Sequence, residues 1–338
     1  MSPSPCIPHQ TYLDTPEFYK LSLHLVTIIS TPIYLLGLYC ILFKTPDAMK
    51  SVKWYILVLH VWIASFDFSN SFLCQPFLFF PEIAGIPYGV LNGLGVPTSL
   101  QTVFVMMQLF AVSLSILSIF ENRYFILCEF RFKHLWVAGR WIWLLLHYLY
   151  CIGMLLSVFL IIPEQEAARK RMFQKLPCLP NFVYEAQVFV LVDENFPLLL
   201  TLIAIFMAVC WSELAFFIYQ LIRNVKNQQK LAKISQNTLR IQRDFLFTLF
   251  HQSFLPFVLL VGPVAYMFLS VFFNYYNQAA VNVCVIVVTV HGLIATLVML
   301  WVHKPYRKAV REIVGFRKKL EVNKTAQMFT TDHDGALQ

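Results

Sequence analysis

Residues 280–302 read AVNVCVIVVTVHGLIATLVMLWV, a stretch without a single charged side chain. As a helix it is long enough to cross the hydrocarbon core of a bilayer, which requires about 20 apolar residues. Six similar stretches precede it, at 21–43, 54–80, 98–120, 141–162, 196–222 and 245–273. Together the seven stretches contain no Lys or Arg and only two acids, Asp67 and Glu213. The sequence therefore predicts a chain that crosses a membrane seven times.

The composition also favours a membrane protein. The chain is 58% hydrophobic and 16% aromatic, whereas soluble domains contain roughly 45 to 50% apolar residues. The longest segment between spans, 163–195, is too short to form a second core. We predict an all-α membrane protein whose seven-transmembrane helix bundle occupies 21–302.

The distribution of basic residues predicts the orientation. Of the 26 Lys and Arg residues, 21 lie in four segments, 44–53, 121–140, 223–244 and 303–338. Because loops rich in Lys and Arg stay in the cytoplasm, residues 1–20 are expected to be extracellular and the C-terminus cytoplasmic. The net charge of +8 is then explained by topology and by attraction to anionic lipid of the inner leaflet, so no nucleic-acid partner is predicted.

A basic segment follows the last span. It begins with His303-Lys304-Pro305-Tyr306-Arg307, and apolar residues after it recur at helical spacing among Lys and Arg. This pattern is typical of an amphipathic helix that lies on the membrane surface. We predict such an eighth helix over 303–321, followed by a flexible cytoplasmic tail over 322–338.

The cysteines allow one disulfide on the oxidising side of the membrane. Cys6, Cys74 and Cys178 all fall on or near the extracellular side in the predicted topology. Connectivity cannot be read from sequence alone, so two pairings remain open, Cys74 with Cys178 and Cys6 with Cys178. Either would attach the 163–195 loop to the bundle.

No pattern typical of catalysis is present. Histidines occur singly in the spans or near them, without a second metal ligand one helical turn away, at His24, His60, His147, His251 and His291. Such histidines are expected to form hydrogen bonds between helices. We predict no enzyme activity, no catalytic residue, no metal and no cofactor.

Polar and helix-breaking residues inside the spans are candidates for function. Asp67 lies near the middle of the second span, where it could be a neutral acid, a bridge to the seventh span or a cation site, and a purely structural hydrogen bond is equally open. Pro256 and Pro263 are seven residues apart, hence on nearly the same face of the sixth span. They predict a bent sixth helix that acts as a hinge, or one whose bends serve only packing.

The cytoplasmic end of the third span reads Phe120-Glu121-Asn122-Arg123-Tyr124. An acid and a permanent cation at a helix end can form a pair that breaks and forms again. In seven-helix receptors an Arg here can be released toward a G protein as the sixth helix moves outward. The alternative is an ordinary Arg whose charge marks the membrane boundary.

Several segments resemble one family of receptors. They are YLDTPEF (12–18), KTPDAMKSVKW (44–54), FENRY (120–124), LRIQ (239–242) with Gln252 and Pro256, His291-Gly292, and HKPYR (303–307). In order and spacing they are similar to the serpentine receptor class H chemoreceptors of nematodes over about residues 11 to 311. The resemblance implies a plasma-membrane receptor of sensory neurons, expected in their cilia, that detects small molecules and signals through a heterotrimeric G protein.

This resemblance suggests roles for individual residues. Coupling or switching is assigned to Glu121, Arg123, Tyr124, Asp67, His303, Pro305, Tyr306 and Arg307. The sequence differs from rhodopsin-like receptors, because Arg123 comes two residues after Glu121 instead of one, a rotation of about 100° on a helix. Mechanisms of those receptors are therefore analogies here.

A ligand pocket is predicted from depth and helix face. Its candidate residues lie in the outer parts of the third, sixth and seventh spans and are Gln101, Val105, Gln108, Tyr266 and Asn282. None of them is charged, so a small neutral or weakly polar odorant is expected. The alternative is that these polar groups bond each other.

Two other classes of protein remain open. A seven-helix ligand-gated ion channel of the insect odorant-receptor kind has a cytoplasmic N-terminus, which the distribution of basic residues opposes. A transporter usually contains internal repeats and interrupted helices in matching halves, and the sequence has no such repeat. The expected partners are a small-molecule ligand, a heterotrimeric G protein and membrane lipid.

Overall fold

The computed structural model describes residues 11–176, 178–193, 196–230, 243, 250, 254, 258–313 and 315. Its helices are, in chain order, α1 (Pro16–Phe43), α2 (Lys50–Phe68), α3 (Val90–Gly93), α4 (Thr98–Leu127), α5 (Lys133–Ile161), α6 (Gln165–Lys175), α7 (Asn181–Glu185), α8 (Phe196–Lys230), α9 (Val258–Phe272), α10 (Gln278–Val302) and α11 (304–313). Three strands, β1 (Pro76–Leu78), β2 (Ile83–Pro87) and β3 (Phe189–Val192), complete the described part.

Six of these helices are long and apolar enough to cross a membrane, namely α1, α2, α4, α5, α8 and α10. A shorter apolar helix, α9, occupies the place of the sixth predicted span. These helices agree with the predicted seven-transmembrane bundle. His251 and Pro256 lie outside the described residues, whereas Pro263 lies within α9.

The eighth helix is described only in part. Residues 304–313 are helical, and its remaining positions to 321 fall outside the described residues except for Gly315. Tyr306 and Ala309 are buried against the C-terminal ends of α1 and α10 and the N-terminal end of α2. An amphipathic helix over the whole of 303–321 stays a prediction.

Side chains fix the outer ends of two membrane helices. The hydroxyl of Thr15 accepts a hydrogen bond from the Phe18 amide at 3.3 Å, and Pro16 occupies the first helical position of α1. At the start of α10, the side-chain oxygen of Asn277 accepts from the Ala280 amide at 3.0 Å. Both caps satisfy amides that the first turn of a helix leaves without partners.

The second membrane helix ends before its predicted limit of residue 80. A π-helical turn, Ser69–Leu73, follows α2, and Gln75 then adopts a positive φ of 43°. Pro76, which falls within the second predicted span, therefore lies outside α2 and begins β1. Proline has no amide hydrogen to donate, and the first position of an edge strand does not require one.

A small antiparallel sheet connects the C-terminal end of α2 to the loop between α5 and α8. Phe77 of β1 pairs with Ile86 of β2, and Ala84 of β2 pairs with Val190 of β3. The sequence did not predict this sheet. Its first strand lies within the apolar stretch 54–80, and a short apolar run does not distinguish a strand from a helix. Through β3, the sheet attaches the 163–195 loop to the bundle.

Cys178 is disulfide-bonded, whereas Cys74 is a free and buried thiol. The predicted pairing of Cys74 with Cys178 is therefore wrong. Successive residues of a strand face opposite sides. Phe77 lines an extracellular hollow together with Cys178, whereas Leu78 lines a second cavity together with Cys74. The alternative partner, Cys6, lies outside the described residues, and its pairing with Cys178 stays a prediction.

The bundle is organised around α4, which packs against α2, α5 and α8, while α1 packs against α2 and α10. The largest buried cluster joins α2, α4, α5, α8 and α10. Apolar side chains such as Leu160 of α5, 85% exposed in the isolated chain, face outward. Outward apolar side chains are expected where lipid is the solvent.

Candidate functional site

A polar cluster lies at the middle of the bundle, centred on Asp67. This carboxyl group is 1% exposed. Its Oδ2 accepts hydrogen bonds from the Tyr34 hydroxyl and, at 3.0 Å, from the Gly292 amide. Nδ1 of His291 lies 3.1 Å from Oδ1. Asp67 therefore joins α1, α2 and α10, which is the bridge to the seventh span that sequence reasoning left as one alternative.

The close approach of α2 to α10 depends on a glycine. A Cβ atom added to Gly292 would lie 2.3 Å from Oδ2 of Asp67 and 2.4 Å from a methyl group of Ile63. Any larger residue at this position would therefore displace the carboxyl group. The bare backbone of Gly292 allows its amide to reach Asp67.

His291 connects this polar cluster to a cavity. Its Nδ1 lies 2.5 Å from the carbonyl oxygen of Val288, and its ring packs edge-on against Phe66 at 5.6 Å between centroids. The other ring nitrogen, Nε2, is buried and has no hydrogen-bond partner among the described residues. His291 is also one of the residues that line the cavity.

The cavity has a volume of about 260 Å³ and lies between α4, α8, α9 and α10. Its walls are mainly aliphatic and aromatic, for example Phe110, Met207, Val264 and Phe268. The residues that α4 contributes, and His291 of α10, belong to the central turns of these helices, so the cavity lies deeper than the outer pocket predicted from sequence. Concave apolar sites with a few polar groups are typical ligand sites.

The structure does not bring the five predicted ligand residues into one pocket. Gln101 and Val105 line a second cavity of about 250 Å³ beneath the extracellular sheet. Gln108 instead donates to the hydroxyl groups of Ser65 and Ser69, at 2.6 and 2.9 Å.

Asn282 has a structural role in the extracellular part of the bundle. It donates to the carbonyl oxygen of Leu13 at 2.8 Å and accepts from Gln278 at 2.9 Å. Tyr266 lies on α9, and it is not among the residues that line the deeper cavity or the outer one. Ligand contact at Gln101 and Val105 stays a prediction.

The second intramembrane acid also contacts a histidine. Oε2 of Glu213, on α8, lies 3.2 Å from Nε2 of His147 on α5 and accepts from the Trp143 indole at 3.1 Å. Both acids in the spans thus join two helices through an imidazole. This is the interhelical role that sequence reasoning assigned to the isolated histidines.

Near the C-terminal end of α4, Glu121 forms an ion pair with Arg140 of α5. The distance from Oε2 to the Arg140 guanidinium is 2.6 Å, and Oε1 accepts from the Trp136 indole at 2.8 Å. The interpretation of Glu121 as the acid paired with Arg123 is therefore wrong. Residues two apart on a helix point about 200° apart, so Glu121 faces α5 and Arg123 faces elsewhere.

Arg123 lies near the end of α10. Its side chain is buried, and its charge acts on His303, the residue that follows α10. Burial and the neighbouring guanidinium lower the pKa of His303 to about 4, so this imidazole is neutral at physiological pH. Tyr124 packs against Phe130, with ring centroids 4.8 Å apart, and against Phe217.

The HKPYR segment also contacts the loop that follows the first helix. The Tyr306 hydroxyl lies 2.8 Å from that of Thr45, and the Tyr306 ring is fully buried. Arg307 approaches the Trp301 carbonyl oxygen at 3.5 Å, and Pro305 is half-buried in the first turn of α11. The segment therefore fixes the position of α11 against the bundle.

Sequence reasoning missed three residues of these sites. Tyr34 and Arg140 gave no signal, because a tyrosine in a span and an arginine near a membrane boundary are both common. His291 was noted as one of several histidines and, with Gly292, as a segment of the family resemblance, but without a role in a site. The adjacent Gly292 was the available signal, since a glycine within a membrane helix permits close approach of a neighbouring helix.

Long apolar helices with buried polar bridges and an internal cavity define this chain as a multi-pass membrane protein of the seven-helix receptor class. A family model described as serpentine type 7TM GPCR chemoreceptor Srh matches residues 14–316, and the chain belongs to this family. Serpentine receptor class H-72 of Caenorhabditis elegans is 27% identical over 322 residues, which cover 92% of this chain and 90% of that protein. The resemblance drawn from sequence is thereby confirmed.

Proposed function

We propose that this chain is a chemosensory receptor that binds a small, neutral or weakly polar molecule within its helix bundle and activates a heterotrimeric G protein at its cytoplasmic face. The observation that carries the proposal is the family match over residues 14–316. The receptor acts in the plasma membrane of sensory neurons, in their cilia, with its N-terminus outside and its C-terminus in the cytoplasm.

The cytoplasmic ends of α4 and α10 are the proposed coupling surface. Arg123 and His303 lie close together there, and Tyr306 holds the following helix against α1. The Glu121–Arg140 pair fixes α4 to α5 on the other side of the same helix. Bending of the sixth helix at Pro256 and Pro263 would open this surface for the G protein.

A cell-based assay tests the proposal. The chain is expressed with a chimeric G protein, and calcium is recorded during exposure to a panel of small volatile and water-soluble compounds. We expect a response that disappears with Arg123→Ala and under G-protein block. Arg131→Ala is the matched control, because Arg131 is an exposed cation of the same cytoplasmic region.

Surface expression of each variant is measured in parallel, so that misfolding is separated from loss of coupling. An evoked current that survives G-protein block would contradict the proposal and favour an ion channel. A response that Arg123→Ala retains in full would remove Arg123 from the coupling surface.

A further inference from the structure

The cavity at the middle of the bundle combines apolar walls with a buried imidazole nitrogen that has no hydrogen-bond partner among the residues that the structure describes. We propose that this cavity binds a largely apolar molecule with a single hydroxyl or carbonyl group, and that this group forms a hydrogen bond with Nε2 of His291. The inference rests on the proposed function, since it specifies the ligand of that receptor. It also moves the binding site inward from the outer cavity lined by Gln101 and Val105.

The orientation of the imidazole supports this assignment. Nδ1 faces two acceptors, the Val288 carbonyl oxygen at 2.5 Å and the Asp67 carboxyl group at 3.1 Å, and therefore carries a hydrogen. Phe66 packs against the ring. One edge of the ring is engaged in this way. Nε2, on the other edge, is buried and has no hydrogen-bond partner among the described residues. His291 is also the residue of α10 that lines the cavity.

A buried polar atom without a hydrogen bond is unfavourable, so a partner for Nε2 is expected. Water fits this cavity poorly, because a buried water requires two to four polar partners. The hydroxyl of Ser113, which also lines the cavity, already donates to the Leu109 carbonyl oxygen at 3.0 Å. An organic molecule with one polar group matches both the walls and the imidazole.

The volume of the cavity limits the size of the ligand. An apolar protein cavity of about 150 Å³ holds benzene, so 260 Å³ accommodates about ten non-hydrogen atoms by proportion. An aromatic ring with a short polar substituent has this size. A hydroxyl group can bond Nε2 as donor or acceptor, whereas a carbonyl group bonds only a protonated Nε2.

The site is placed to communicate with the first helix. His291 touches Asp67, and Asp67 accepts from Tyr34 on α1 and from Gly292 on α10. A ligand that bonds His291 therefore acts on the group that joins α1, α2 and α10. This connection is a physical route from the ligand to the contacts between helices.

The test is direct binding to the purified full chain in lipid nanodiscs, without a G protein. The probes are 1-phenylethanol, acetophenone and ethylbenzene, which share a carbon skeleton and carry a hydroxyl group, a carbonyl group or neither. We expect at least one polar probe to bind about tenfold more tightly than ethylbenzene, the effect of one hydrogen bond to a buried group.

Three variants complete the design. His291→Asn keeps a donor near the position of Nδ1 but removes Nε2, so it should bind all three probes equally. Val264→Phe fills the cavity from α9 and should bind none of them. His60→Asn is the matched control and should behave as wild type, because His60 is equally buried but bonds the Tyr34 carbonyl oxygen and does not line the cavity.

Equal binding of the three probes to the wild type, or no binding, would overturn the inference. A preference for the polar probe that His291→Asn retains would do the same. Because the assay contains no G protein, binding with the expected selectivity but without a calcium response in cells would contradict the proposed signalling and leave the site intact.

Discussion

At the scale of single residues, Gly292 determines whether α2 and α10 can meet. We expect Gly292→Ala to lower the apparent melting temperature, by the equivalent of about 1 to 3 kcal/mol, because its methyl group would overlap Asp67 and Ile63. The control is Gly153→Ala on α5, where an added Cβ meets nothing within 4 Å. Thermal unfolding of both purified variants measures the difference, and equal melting temperatures would contradict the packing.

His303 makes the stability of the cytoplasmic end depend on pH. Its pKa is lowered to about 4, whereas an exposed histidine titrates near 6.5. The unfolded chain therefore binds the proton more readily, so stability is complete above about pH 6.5 and falls as the pH decreases toward 4. The loss of folding free energy is up to about 3 kcal/mol, because each pKa unit between the folded and the unfolded chain corresponds to about 1.4 kcal/mol.

This dependence is measured from the apparent melting temperature of the purified receptor between pH 7.5 and 4. We expect His303→Gln to show a flatter profile than wild type over that range, because the titrating group is gone. His134→Gln, at an exposed position on the same side of the membrane, is the control and should follow the wild-type profile. A wild-type slope retained in His303→Gln would assign the effect to other groups.

At the scale of elements, Cys74 and Cys178 lie on opposite sides of strand β1. Cys178 should react with an alkylating reagent only after reduction, whereas Cys74 should react in the unfolded chain without reduction. Peptide mass spectrometry distinguishes the two. Loss of the disulfide in Cys178→Ser should cost about 2 to 5 kcal/mol of stability.

Cys6→Ser should match Cys178→Ser in that experiment, and Cys74→Ser should leave the disulfide in place. A disulfide that disappears in Cys74→Ser would contradict the separation by the strand. Prediction from sequence was least accurate for the elements outside the membrane, because their apolar runs are short and have no fixed period.

At the scale of the whole molecule, the proposed orientation has the loop between α5 and α8 outside the cell and the C-terminal tail inside. The sequon Asn323-Lys324-Thr325 should therefore remain without glycan in animal cells. A matched variant, Glu185→Asn with Gln187→Thr, creates a sequon at exposed positions of the extracellular loop. This variant should gain a glycan that a glycosidase removes. A glycan at Asn323, with none at the new sequon, would contradict the proposed orientation.

The bundle was predictable because the bilayer requires it. A backbone in hydrocarbon must satisfy its own hydrogen bonds, so seven long apolar runs imply helices. Asp67 could also be predicted as a buried polar residue, since a charge in the membrane is costly and is retained where it has partners. The identity of those partners, Tyr34 and Gly292, depends on which helices are neighbours, and a single sequence does not contain that information.

The sequence by itself determined the number of membrane crossings and the family, because both depend on runs of residue types along the chain. Only the tertiary structure decided that Glu121 pairs with Arg140, that Cys74 is free and that His291 lines a cavity. These facts are contacts between residues distant in sequence. They depend on the rotation of each helix and the face of each strand, which periodicity restricts but packing fixes.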